Sequence, residues 1–160
     1  MNPRGILTGW LLCGVLDISA ACVQARIQAG FTPDRVLKGV ASALWGPAAL
    51  NGGAGMAAVG LVMHFTVAFV ATLIFAALVQ RVPVLRTAPL WVIGPLYGAV
   101  VFCAMNYGTL PLLSWVRTLY IPNAVVRWPG PMKWPQLLIH LVCVGLPIAW
   151  GVRSGALPRG

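Results

Sequence analysis

Acidic side chains are almost missing from this sequence: of 160 residues, Asp+Glu number 2, Asp17 and Asp34. Charge of either sign is scarce, at 8% of the chain, where a soluble domain carries about 25%. A surface facing water needs that charge, so the composition excludes an ordinary soluble enzyme. Catalytic signatures are missing too: there is no Walker lysine, no G-x-S-x-G and no H-E-x-x-H. An intramembrane hydrolase would want a serine or an acid pair beside a histidine. Ser19 is near Asp17 in sequence but off its helical face. No enzyme activity is expected. Close cysteine pairs are also lacking. Cys13, Cys22, Cys103 and Cys143 lie inside apolar runs with no C-x-x-C spacing, against a zinc ribbon and against a quinone-linked thiol oxidase. They read as small buried apolar residues.

What is present is apolar. Hydrophobic residues make up 59% of the chain and mean hydropathy is +0.87, so the lipid bilayer is the natural solvent and first partner. The net charge of +9 would suggest nucleic acid in a soluble protein. Here the basic residues sit singly between apolar runs, at Arg26, Arg35, Lys38, Arg81, Arg86, Arg117, Arg127, Lys133, Arg153 and Arg159. That pattern anchors helix ends at anionic headgroups, and no nucleic-acid partner is expected.

A spanning helix takes roughly 20 apolar residues. The stretches near 5–25, 55–79, 88–113 and 136–152 qualify or nearly so, within a single domain over 1–160. Pro111 is expected to bend or end the third, and the fourth is short and holds Pro147. The first could be a signal peptide, with Arg4 ahead of it and Val23-Gln24-Ala25 as a cleavage site. Asp17 would interrupt the apolar core of such a signal, which favours a retained span. Thr32-Pro33-Asp34 carries an N-cap, a first-turn proline and an acid suited to the helix dipole. A short helix over about 33–45, apolar on one side, is therefore expected to lie in or dip into the interface. The fold class is all-α: a membrane-embedded four-helix bundle with a short interfacial helix after the first span. Trp45, Trp91, Trp115, Trp128 and Trp134, with Arg81 and Arg86, are the expected interface anchors. Positive charge near the span ends and short loop favours cytoplasmic termini.

Polar side chains within a span are costly and usually functional. Asp17, His64, Asn106 and His140 fall one to each span, and antiparallel succession puts them near the midplane or in the half facing the long connections. Gly5, Gly9, Cys13 and Asp17 recur every four residues, as do Gly60, His64 and Ala68, and Gly94 and Gly98 form a GxxxG pair. Small-residue stripes let helices approach closely. A cysteine lies about one turn from three of the polar residues: Cys13 from Asp17, Cys103 from Asn106, Cys143 from His140. "LVMHF" at Leu61 to Phe65 and "LLIHL" at Leu137 to Leu141 echo one another. Three readings stay open. The polar residues hold the bundle together; or they form a site for a proton, ion or small solute, histidine being able to change charge near neutral pH; or His64 and His140, with Asp17, bind haem or a transition metal. No cofactor is expected under the first two. A structural or accessory role beside other membrane subunits, or in a homo-oligomer, is the competing class.

The runs "TPDRVLKGVASALWGPAALNGGAGMAAVGLVMHF", "GPLYGAVVFCAMNYGTLPL" and "LLIHLVCVGLPIAWGVRSG" resemble small bacterial inner-membrane proteins distantly similar to the YagU-like family, whose name is associated with acid resistance. The resemblance implies a four-span architecture in the bacterial inner (cytoplasmic) membrane, without an established chemistry. It singles out Asp17, His64, Asn106, Leu110-Pro111 and His140.

Overall fold

The computed structural model describes residues 3–126, 128 and 130–155. Arg127 and Arg159, two of the expected headgroup anchors, lie outside the described residues. The described chain is all-α. Four of its helices are long and apolar enough to cross a membrane: α1 (Pro3–Ala29), α3 (Ala54–Arg81), α5 (Leu90–Thr118) and α6 (Trp134–Ser154). A shorter helix, α2 (Pro33–Trp45), and a 3-10 turn (Pro47–Asn51) join α1 to α3, and one short turn of helix, α4 (Val84–Thr87), joins α3 to α5.

Helix α2 starts as its sequence dictates. Thr32 is the N-cap, its hydroxyl accepting from the Arg35 amide at 3.4 Å, and Pro33 fills the first turn. Gly46, at φ 70°, ends it and donates its amide to Ser42 O. This left-handed conformation suits glycine. Helix α2 does not simply rest on the outside of the bundle. Ala41 is fully buried, and the Leu37 carbonyl sits where a side chain at Gly60 would be. The bare surface of α3 thus admits α2 as part of the wall.

The long helices meet through glycine. A Cβ at Gly5 would come within 2.6 Å of the Gly151 carbonyl oxygen, and Gly151 in turn abuts the Gly9 backbone. The Gly94/Gly98 pair of α5 receives α6: Gly145 packs on the Gly94 carbonyl, and the His140 carbonyl on Gly98. Helix α6 is the most buried of the four. The α1–α6 seam puts both ends of the described chain together, beside the short α3–α5 connection, where Arg153 Nη1 donates to Ala88 O at 2.6 Å. The two long connections share the opposite end.

The core fills the half near the termini. Cys13, Phe75, Val79, Ile93, Tyr97, Ile148 and Val152 cluster there. Tyr97 donates to Ala71 O at 2.6 Å and stacks at a tilt on Phe75, 4.7 Å between centroids. The outward faces are apolar, with Leu11, Val62, Ile74, Leu96, Val100 and Val142 all exposed. The cysteines depart from their expected burial. Only Cys13 is buried; Cys22 and Cys143 are half-buried, and Cys103 is on the outer face. An apolar run fixes a residue's depth in a span but not the side of the helix it occupies.

The third span does not stop at Pro111. A π-helical segment, Ala104–Thr109, precedes Leu110-Pro111, and the helix then runs on to Thr118. The Leu110 amide reaches back five residues to Met105 O. Helix α6 repeats the arrangement, with a π segment at His140–Gly145 followed by Leu146-Pro147. A proline ring in a regular α-helix clashes with the carbonyl four residues back. The wider π turn gives it room, which is why neither proline ends its helix.

The glycine seam makes a test. Gly145→Leu drives a side chain into the Gly94 backbone, which cannot move aside, whereas a Cβ at Gly108 meets nothing within 4 Å. Thermal unfolding in detergent is expected to show Gly145→Leu destabilised by about 1–3 kcal/mol or more, and Gly108→Ala unchanged within about 0.5 kcal/mol.

Candidate functional site: a chamber between the long helices

Beside the packed core, whose Cys13, Ala68, Ala71 and Val144 form part of its wall, the helices diverge around a chamber of about 520 Å³. Asp17 from α1, His64 from α3, Asn106 from α5 and His140 from α6 all line it. The rest of the wall is largely apolar, including Val40 of α2, Val67, Val101 and Val144, with Gln136 and Lys133 toward the long-connection end.

His64 and Asp17 are brought together by Gly14. With no side chain there, the Phe65 ring lies directly against α1, and His64 Nε2 comes to 2.9 Å from Gly14 O. Trp10 ties the same helices together, its Nε1 donating to Phe65 O at 2.8 Å. A carbonyl only accepts, so Nε2 carries the hydrogen and donates. That leaves Nδ1 facing the Asp17 carboxylate, 3.9 Å from Oδ2. This is ion-pair distance but too long for a hydrogen bond. A deprotonated Nδ1 and an ionised carboxylate would be two acceptors facing each other. The contact becomes attractive when the pair holds one more proton, as imidazolium with carboxylate or as carboxylic acid with neutral imidazole.

The other two polar residues turn to their own helices. Asn106 Nδ2 donates to Phe102 O at 2.9 Å, and His140 Nδ1 donates to Gln136 O at 2.9 Å. Phe102 meets the His140 ring edge to face, 5.4 Å between centroids. With Nδ1 donating, the neutral His140 ring presents Nε2 as an acceptor, and the Asn106 amide oxygen is a second one. Four residues of similar expected depth thus line one chamber, but only Asp17 and His64 face each other as a pair.

Among the described residues, no three His, Cys, Asp or Glu side chains come together as a metal site. Family models, curated proteins and solved structures give no match to this chain.

The expected anchors Trp45, Trp91, Trp115, Trp128 and Trp134 are all exposed, as are Arg81 and Arg86. Arg86 also caps a helix. Its Nε donates to Val79 O at 2.8 Å and its Nη2 to Gln80 O at 2.7 Å, closing the end of α3. Lys133 and Gln136 are chamber residues that residue-type reasoning passes over, since both stand at the edge of a span. Arg117 and Tyr120 have the residue types of a headgroup belt. They instead clasp α2, with Arg117 Nη1 donating to Ser42 O at 3.1 Å and Tyr120 Oη to Leu44 O at 2.5 Å.

The split between the polar residues is measurable. His64→Ala removes a bond between helices and is expected to cost about 0.6–2 kcal/mol in detergent unfolding. Asn106→Ala removes a bond within one helix and is expected to change stability by less than about 0.5 kcal/mol. Equal losses from both would mean that Asn106 also holds helices together.

Proposed function

We propose that this chain is a multi-pass protein of the bacterial inner membrane, with four spans and cytoplasmic termini, that handles protons or a small solute at the polar site of Asp17, His64, Asn106 and His140 in its inner chamber. Proton handling is the arm that the Asp17–His64 pair favours. The reading is non-enzymatic and needs no cofactor. The apolar outer faces of the four long helices and the flanking tryptophans support the membrane setting. The long-connection end carries Arg26, Arg35, Lys38, Arg117 and Lys133, so charge count alone does not orient the bundle; Arg81 and Arg86 in the short connection, with Arg4 and Arg153 at the span ends, support cytoplasmic termini. The resemblance to inner-membrane proteins distantly similar to the YagU-like family points to the same setting.

One observation carries the reading beyond bundle architecture. Asn106 and His140 bond only within their own helices yet line the chamber. Polar groups at such depth are costly, and among the described residues these two side chains contribute no hydrogen bond between helices in return. A largely apolar chamber with a few convergent polar groups is how small-molecule sites are built. The pairing of His64 with Asp17 supplies the element that responds to protons.

Proton flux into proteoliposomes, followed with an entrapped pH dye, tests this. Wild type is expected to dissipate an imposed pH gradient faster than empty vesicles. Asp17→Asn and His64→Ala should abolish the difference, while Cys103→Ser, on the outer face, should leave it intact. The proposal fails if wild type matches empty vesicles, or if both chamber variants retain wild-type flux. Detergent unfolding of the same preparations separates lost function from lost fold.

A further inference from the structure

A second, smaller chamber of about 330 Å³ opens at the long-connection end. It shares Asn106, Leu110, Lys133 and Gln136 with the inner one, so the two adjoin. Its wall includes Arg117, Lys133, Ser42, Ser114 and Trp128, and no acidic residue.

Arg117 is the unusual member. It is 5% exposed, and a guanidinium has five N–H donors. Two bonds engage them: Nη1 to Ser42 O and Nη2 to Val125 O, both 3.1 Å. Nε is buried beside Gly46 with no partner, and the second N–H of each Nη is the donor left for a ligand. Nor does any carboxylate offset the charge among the described residues. Asp34 is taken by Lys38 at 2.8 Å, and Asp17 faces His64. The carbonyl end of α2, reached through Ser42 O, offsets part of the positive charge. A buried cation with an idle donor and no anion is an unfinished arrangement, because removing charge from water is repaid only by close, well-bonded countercharge.

We propose that this outer chamber binds an oxyanion of the phosphate class, with Arg117 as its buried contact and Lys133 as a second cation at the exposed rim. The guanidinium fork matches the geometry of two phosphate oxygens, and the lining holds no acid to repel them. Basic recesses among membrane helices take phospholipid headgroups in the same way. Trp128 at the rim gives an apolar edge beside the charge. Because the chambers adjoin, an amphiphile with its anionic group on Arg117 can place its apolar part in the inner one. The headgroup assignment rests on the membrane setting proposed above; oxyanion binding itself does not.

The test uses the full chain in mild detergent. Native mass spectrometry compares retention of phosphatidylglycerol with that of zwitterionic phosphatidylcholine, and equilibrium dialysis measures inorganic phosphate. Phosphatidylglycerol is expected to be preferred, and Lys133→Gln to weaken it about fivefold, the effect of one basic charge at a lipid surface. Arg117→Lys, which keeps the charge but loses the fork, should weaken it as well. Arg81→Gln, at the opposite end, should not. Phosphate binding with the same sensitivity to Lys133→Gln would identify a free anion as the ligand; lipid retention alone would identify a headgroup. The proposal is overturned if neither is bound above background, or if Arg81→Gln weakens binding as much as Lys133→Gln. Should Arg117→Lys fail to fold, Lys133→Gln against Arg81→Gln decides. Proton flux plays no part in this measurement, so either proposal can fail while the other stands.

Discussion

Contact between helix backbones, made where glycine removes the side chain, is the constraint on which the rest of this structure depends. Gly5 and Gly9 against Gly151, Gly94 and Gly98 against Gly145, and Gly60 against Leu37 each bring two helices closer than any Cβ would allow. In a bilayer no hydrophobic force would drive one helix against another, and such packing would supply much of the attraction. The α1–α6 seam and the core close one half of the bundle. Around His64 and Asn106 the helices diverge, and α2, admitted by Gly60, closes the gap as a wall. The hollow half follows from where the glycines lie.

Scarcity of acid has its own structural result. Among the described residues, four guanidinium groups bond to backbone carbonyls at or near helix ends. Arg26 reaches Gly30 O, Arg86 reaches Val79 O and Gln80 O, Arg117 reaches Ser42 O, and Arg153 reaches Ala88 O. The last carbonyls of a helix lack partners and carry partial negative charge. Arginine satisfies both needs at once. A positive charge as large as this one therefore does not imply a polyanionic partner across the whole surface. Most of these residues are fastening the ends of helices, and Arg117 differs in being buried with a donor to spare.

Much of the fold is legible in the sequence because helix length and apolarity are local properties. The segments near 5–25, 55–79, 88–113 and 136–152 fall on the four long helices, and Thr32-Pro33-Asp34 marks the start of α2. The common depth of Asp17, His64, Asn106 and His140 follows from counting 1.5 Å per residue along antiparallel helices, and all four do line one chamber. Which of them pair is not legible. It depends on Gly14 letting Phe65 close against α1, a contact between residues about fifty positions apart. The clasp of Arg117 and Tyr120 on α2 is hidden for the same reason: aromatic and basic residues at a span end look like headgroup anchors whether or not they turn inward. Pro111 reads as a helix end only if the helix before it is regular α. The signal against that is the shared Gly-(Thr)-Leu-Pro at Gly108 to Pro111 and Gly145 to Pro147.

Those two π segments also set the aim of everything before them. A π turn accommodates an extra residue compared with the α-helical winding, and one residue of α-helix is about 100° of rotation. In α5 and in α6, the part before Leu-Pro is thus turned relative to the part after it. Without that offset, a face that packs on neighbours at Ile148 or Ser114 could not also bring His140 or Asn106 to the chamber. Shortening either π segment by one residue would leave composition, hydropathy and span length almost untouched, yet it would swing its polar residue out of the chamber. In this bundle, the position of a polar group is specified by winding as much as by residue identity.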